Sequence, residues 1–77
     1  MHVRYFAVFR ELAGVAWESV DTSALDLAQL YLELSERHGF QLGSSEVKAS
    51  LNLGWVALDQ PIQEGDQIVF IPPVAGG

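Results

Sequence analysis

Only one stretch of this 77-residue chain carries apolar side chains at helical spacing, and that narrows the folds open to it. Leu27, Leu30, Tyr31 and Leu34 fall at i, i+3, i+4 and i+7 on one helix face, with Asp26, Gln29, Glu33, Glu36 and Arg37 opposite. Asp21-Thr22-Ser23 reads as the helix start, Ser23 and Asp26 forming a weaker relative of the capping box in which Asp replaces the preferred Glu. His38-Gly39 ends the helix, Gly39 taking the left-handed position beyond the last turn. The other segments read as strands: His2–Phe9, Val15–Val20, Val47–Leu51, Trp55–Leu58 and Gln67–Ile71. Arg10 to Gly14 is expected to be a turn pairing the first two strands as a hairpin, and Ile62 to Asp66 a tight turn with Gly65 at positive φ. One helix for about five strands covers one side of a sheet and leaves the other open.

The open side matters because the chain is small and apolar. A domain of this length is marginal without a disulfide, a metal or a partner. There is no cysteine, which removes disulfides, thiolate metal sites and thiol nucleophiles together and fits a cytoplasmic location. Apolar residues make up 49 % of the sequence, more than one helix–sheet interface can hide, so a surface made for a partner is expected. Strand parity nominates Phe6, Trp55 and Ile71 for it. The formal charge is -6, and the four basic residues Arg4, Arg10, Arg37 and Lys48 are scattered, an arrangement that argues against nucleic acid and implies basic groups on any charged partner. No apolar run reaches the length of a membrane span.

Side-chain catalysis finds little to work with. There is no G-x-S-x-G and no phosphate-binding G-x-x-x-x-G-K-[ST], and His2 and His38 lie far apart in sequence. Asp59, Glu64 and Asp66 cluster around a turn, where solvation accounts for them. What stands out is the ending, Ile71-Pro72-Pro73-Val74-Ala75-Gly76-Gly77. Pro72 and Pro73 have no N–H and cannot extend the ladder, so residues 1–71 form the domain and 72–77 a tail expected to be flexible. Gly76 and Gly77 place a carboxylate at the tip of a backbone with no side chain to obstruct it. A free carboxylate is a poor acyl or sulfur donor and needs activation, most simply as an acyl-adenylate. Without cysteine, any sulfur the chain carries for transfer must sit on Gly77 itself.

From Phe6-Ala7 and Arg10-Glu11-Leu12, through Asn52, Pro61 and Gly65-Asp66, to Phe70-Ile71-Pro72-Pro73-Val74-Ala75-Gly76-Gly77, the whole chain resembles the molybdopterin synthase small subunits. The run from Gly65-Asp66 through Pro72-Pro73-Val74 to Gly76-Gly77 is the specific part; thiamin-pathway carriers also end in Gly-Gly, typically without the Pro-Pro-Val step. The resemblance implies an α+β, ubiquitin-like β-grasp fold, a mixed sheet of about five strands with one main helix on one face. It implies that Gly77, with Gly76, is the reacting end: adenylated by an ATP-using enzyme like those that activate ubiquitin, converted to a thiocarboxylate with sulfur from a donor protein, and used on cyclic pyranopterin monophosphate. No cofactor would be bound by the chain itself. Phe6, Trp55, Ile71, Pro72, Pro73, Val74 and Ala75 would contact the large synthase subunit in a heterotetramer. The alternatives are a carrier for thiamin or tRNA thiolation, a modifier conjugated to lysines, and a β-grasp interaction module without a reacting tail.

Overall fold

The computed structural model describes residues 1–73; Val74, Ala75, Gly76 and Gly77 lie outside the described residues. The elements run β1 (His2–Tyr5), α1 (Ala7–Ala13), β2 (Trp17–Ser19), α2 (Leu27–His38), a single 3-10 turn (Ser44–Glu46), β3 (Lys48–Leu51), β4 (Gly54–Val56) and β5 (Gln67–Ile71). The strands form one sheet in the order β2-β1-β5-β3-β4. β1 and β5 pair in parallel, and the other three pairings are antiparallel. This mixed sheet, folded over one long helix, is the ubiquitin-like β-grasp.

α2 forms where the periodicity placed it, but it starts later than Ser23. Asp26 is the N-cap, its Oδ1 accepting from the Gln29 N–H at 2.9 Å. Gln29 Oε1 in turn accepts from the Leu25 N–H at 3.0 Å. The Leu27 and Ala28 N–H groups, without partners inside the helix, donate to the carbonyls of Gln60 and Leu58 at 3.2 and 2.8 Å. Gly39 closes the helix at φ 75° and donates to Ser35 O at 2.8 Å. The apolar stripe of α2 is fully buried on Val3, Tyr5, Ala49, Ile68 and Phe70 of the sheet. Each large side chain so buried contributes about 1.5–3 kcal/mol of transfer free energy.

The expected first hairpin needs correction. β1 stops at Tyr5 instead of Phe9, and β2 is shorter than Val15–Val20. The two strands do pair, but a helix joins them in place of the turn expected at Arg10–Gly14. Phe6 stays extended, Ala7 reverses the chain at φ 51°, and α1 then runs to Ala13. Gly14 ends it at φ 78°, its N–H donating to Arg10 O at 3.0 Å. α1 buries Phe9, whose ring lies 4.7 Å from Phe40 and 5.9 Å from Tyr31. β3 is trimmed by one residue from Val47–Leu51, β4 begins one residue before and ends two residues short of Trp55–Leu58, and the two are joined by the two-residue turn Asn52-Leu53. β5 matches its expected bounds, and Gly65 before it has φ 90°.

Candidate functional site

The alternation of β1 and β5 divides their side chains cleanly. Val3, Tyr5, Ile68 and Phe70 are buried under α2, so His2, Arg4, Phe6, Gln67, Val69 and Ile71 face away from it. The register arranges this open face in rows. Arg4 pairs with Trp17 on one side and Val69 on the other, Val69 with Ser50, and Ser50 with Trp55. The central row is therefore Trp17, Arg4, Val69, Ser50 and Trp55, a tryptophan at each edge and roughly 19 Å between them at ordinary strand spacing. One row further along, Ile71 pairs with Lys48. Phe6, just past β1, falls at the same level, because Tyr5 pairs with Phe70.

Of the residues nominated from sequence, Phe6 is 45 % exposed and Trp55 66 %, and both lie on the open face. Ile71 is half-buried at the end of β5, Pro72 follows half-buried and Pro73 is exposed. The nominated Val74, Ala75, Gly76 and Gly77 lie outside the described residues. Phe6 and Ile71 thus sit where β5 ends, whereas Trp55 is two strands away from β5 in the neighbouring row. Sequence reasoning missed Trp17, 51 % exposed and stacked on His2 with ring centroids 4.6 Å apart, and Leu53, 93 % exposed. Leu53 lines a shallow hollow with His2, Arg4, Phe6, Gln67 and Val69. Parity alone could have found Trp17 once β2 was known to start there; nothing local marks Leu53.

The opposite side of β2 explains how Trp17 is held outward. Glu18 points toward α2 and accepts from the Tyr5 hydroxyl, while His38 Nε2 lies 2.6 Å from its Oε2 and Arg37 Nη1 3.8 Å from its Oε1. Burial pushes the Glu18 carboxyl up, but the hydrogen bonds from Tyr5 and His38, with the charges of His38 and Arg37, outweigh it and hold the group below its usual range. Burial, then the Glu18 hydrogen bond and charge, push the Tyr5 phenol well above its usual range, so it remains a donor. Among the described residues no group of three or more His, Asp or Glu is placed to hold a metal ion. No helix among them is long and apolar enough to cross a membrane. What the open face offers is recognition: flat aromatic and aliphatic area beside the end of β5.

Known proteins share this frame. The ThiS family model matches residues 3–77. The molybdopterin synthase sulfur carrier subunit of Escherichia coli (strain K12) is 35 % identical over 78 residues, which cover 97 % of this chain and 96 % of that protein. In a protein–protein complex of subunits 1 and 2 of molybdopterin-converting factor from Helicobacter pylori 26695, one chain is 30 % identical with a TM-score of 0.65, covering 99 % of this chain and 96 % of that one. SAMP1 from Haloferax volcanii superposes with a TM-score of 0.77 at 23 % identity, covering 99 % and 97 % of the two chains, a likeness of fold alone.

Proposed function

The chain belongs to the ThiS family, and from that premise we propose that it is the sulfur-carrier subunit of a molybdopterin synthase. The observation that carries this reading is the reach of the family match to residue 77, through Pro72-Pro73-Val74-Ala75 to Gly76-Gly77. The tail is rooted in β5, paired on both sides, and leaves the sheet beside the exposed Phe6. Six residues from Pro72 span at most about 20 Å when extended, enough to enter a site buried in a partner.

The chemistry proposed for Gly77 is activation followed by sulfur transfer. A carboxylate oxygen attacks the α-phosphate of ATP on an adenylyltransferase, releasing pyrophosphate and leaving an acyl-adenylate. Sulfur delivered at the sulfide level by a donor protein then displaces AMP and leaves a thiocarboxylate. With the tail inside the large subunit, that sulfur bonds to a carbon of cyclic pyranopterin monophosphate, and water releases the Gly77 acyl group as the free carboxylate. A second charged tail repeats the transfer to supply the second sulfur of the dithiolene. A chain of charge -6 is ill suited to hold an anionic phosphate ester, so the substrate pocket is assigned to the large subunit. Two carriers on a dimer of large subunits would make a heterotetramer. The Helicobacter pylori complex of subunits 1 and 2 supports the pairing.

Intact mass spectrometry after incubation with the activating enzyme, ATP and a sulfide source tests the reading. The expected result is a gain matching one oxygen replaced by sulfur, abolished by deleting Gly77 while the circular dichroism spectrum is unchanged. No mass change with a competent enzyme would overturn it, and Gly77 found in isopeptide linkage to lysines would replace it with a protein modifier.

A further inference from the structure

The net charge hides a separation. None of the ten Asp and Glu residues stands at a strand position of the open face, although two of the four basic residues, Arg4 and Lys48, do. The rest of the molecule keeps Arg10 and Arg37 against all ten carboxylates. Glu18, the one acidic residue within a strand, is turned to the other side and engaged by Tyr5, His38 and Arg37. Neither Arg4 nor Lys48 forms an ion pair among the described residues.

Arg4 lies one strand in from the edge, flanked by Trp17 and Val69 in the central row. A partner that seals the two tryptophans from water also covers this guanidinium, which cannot shed its proton. Burying an unpaired charge costs several kcal/mol, so the cover must supply an acceptor, and a carboxylate fits the planar fork best. Lys48 stands one row on, beside Ile71 at the end of β5. Ideal strand spacing and rise put the two basic residues about 12 Å apart at Cα.

We infer that the surface covering the open face carries focal carboxylates opposite Arg4 and Lys48, about 12 Å apart and set among apolar groups. The expectation of basic partners drawn from net charge is therefore reversed at the face itself. The acids must be focal, because a broadly acidic partner would be repelled by the remaining surface. Two off-centre attachment points also fix which way β5, and so the tail, points into the partner. The occupant is the large subunit of the proposed function, on which this inference rests.

Stopped-flow association with the co-expressed large subunit, at 50 and 500 mM NaCl, tests it on the intact chain. R4E and K48E are each expected to slow association at least fivefold at low salt, with R4Q and K48Q in between and the differences collapsing at high salt. R10E makes the same change in net charge from α1, off the face, and is expected to alter the rate less than twofold. Equal effects of R4E and R10E, or wild-type association insensitive to salt, would overturn the inference while leaving the carrier reading intact. A wild-type chain that acquires the thiocarboxylate but fails to bind the large subunit would overturn the inference together with the choice of acceptor.

Discussion

Glu18 shows how one residue can fasten a strand and tune stability to pH. Its carboxylate joins β1, through Tyr5, to the end of α2, through His38 and Arg37. Because its pKa is depressed in the fold, the stability it contributes is present above the unfolded value, about 4.3 for a glutamate, and is lost as pH falls through the folded value. Glu18→Gln keeps the shape and removes the charge; it is expected to cost about 1–2 kcal/mol near neutral pH. Urea unfolding should show that gap at pH 7 and a much smaller one at pH 3; a constant gap would mean that exchanging an acceptor oxygen for an amide N–H, not the lost charge, is what counts. Among single residues, sequence parity put Phe6 and Trp55 on the correct side. It passed over Trp17 because the reading gave β2 no register, and only the pairing of Val3 with Glu18 and of Arg4 with Trp17 decides which side each faces.

At the scale of elements, the turn joining β3 to β4 is chemically unfavourable. Two-residue hairpin turns of the I′ class need positive φ at both central positions, where Asn-Gly is preferred. Here Asn52 has φ 52° and Leu53 φ 77°. A leucine held in that region costs of order 1–2 kcal/mol, and it is nearly wholly exposed, so burial offsets little of the strain. Leu53→Gly is therefore expected to raise Tm by about 3–6 °C, the net of strain relieved and chain entropy added. Because Leu53 borders the hollow beside Arg4 and Phe6, the same variant is expected to weaken large-subunit binding severalfold in titration calorimetry. Stabilisation without loss of affinity would leave the strain unexplained. α2 and β5 were legible in sequence because a single physical pattern specifies each: the leucine stripe with its glycine end, and a β-branched run ended by two prolines. α1 was not. Phe6, Val8 and Phe9 read as strand residues, and the local propensity is overridden by tertiary burial of Phe9 between Tyr31 and Phe40. The available signal was Arg10-Glu11-Leu12-Ala13, good helix formers closed by Gly14.

For the molecule as a whole, both tryptophans of the chain lie on the open face, and none is in the core. Intrinsic tryptophan fluorescence is therefore a selective reporter of what happens there. Adding a tryptophan-free variant of the large subunit is expected to shift the emission of Trp17 and Trp55 to the blue, and Trp55→Lys to reduce the affinity at least tenfold with an unchanged circular dichroism spectrum. No emission shift on a complex verified by light scattering would place the docking surface elsewhere. The strand order has a mechanical side as well. β5 lies between β1 and β3, with four registered pairs on each side. Traction directed along β5 runs parallel to both ladders and loads them together in shear, where a tail on an edge strand would load only one. Under the proposed function, an enzyme tugging that end would draw on the best-anchored strand of the domain, and the grasp would withstand repeated insertion and withdrawal.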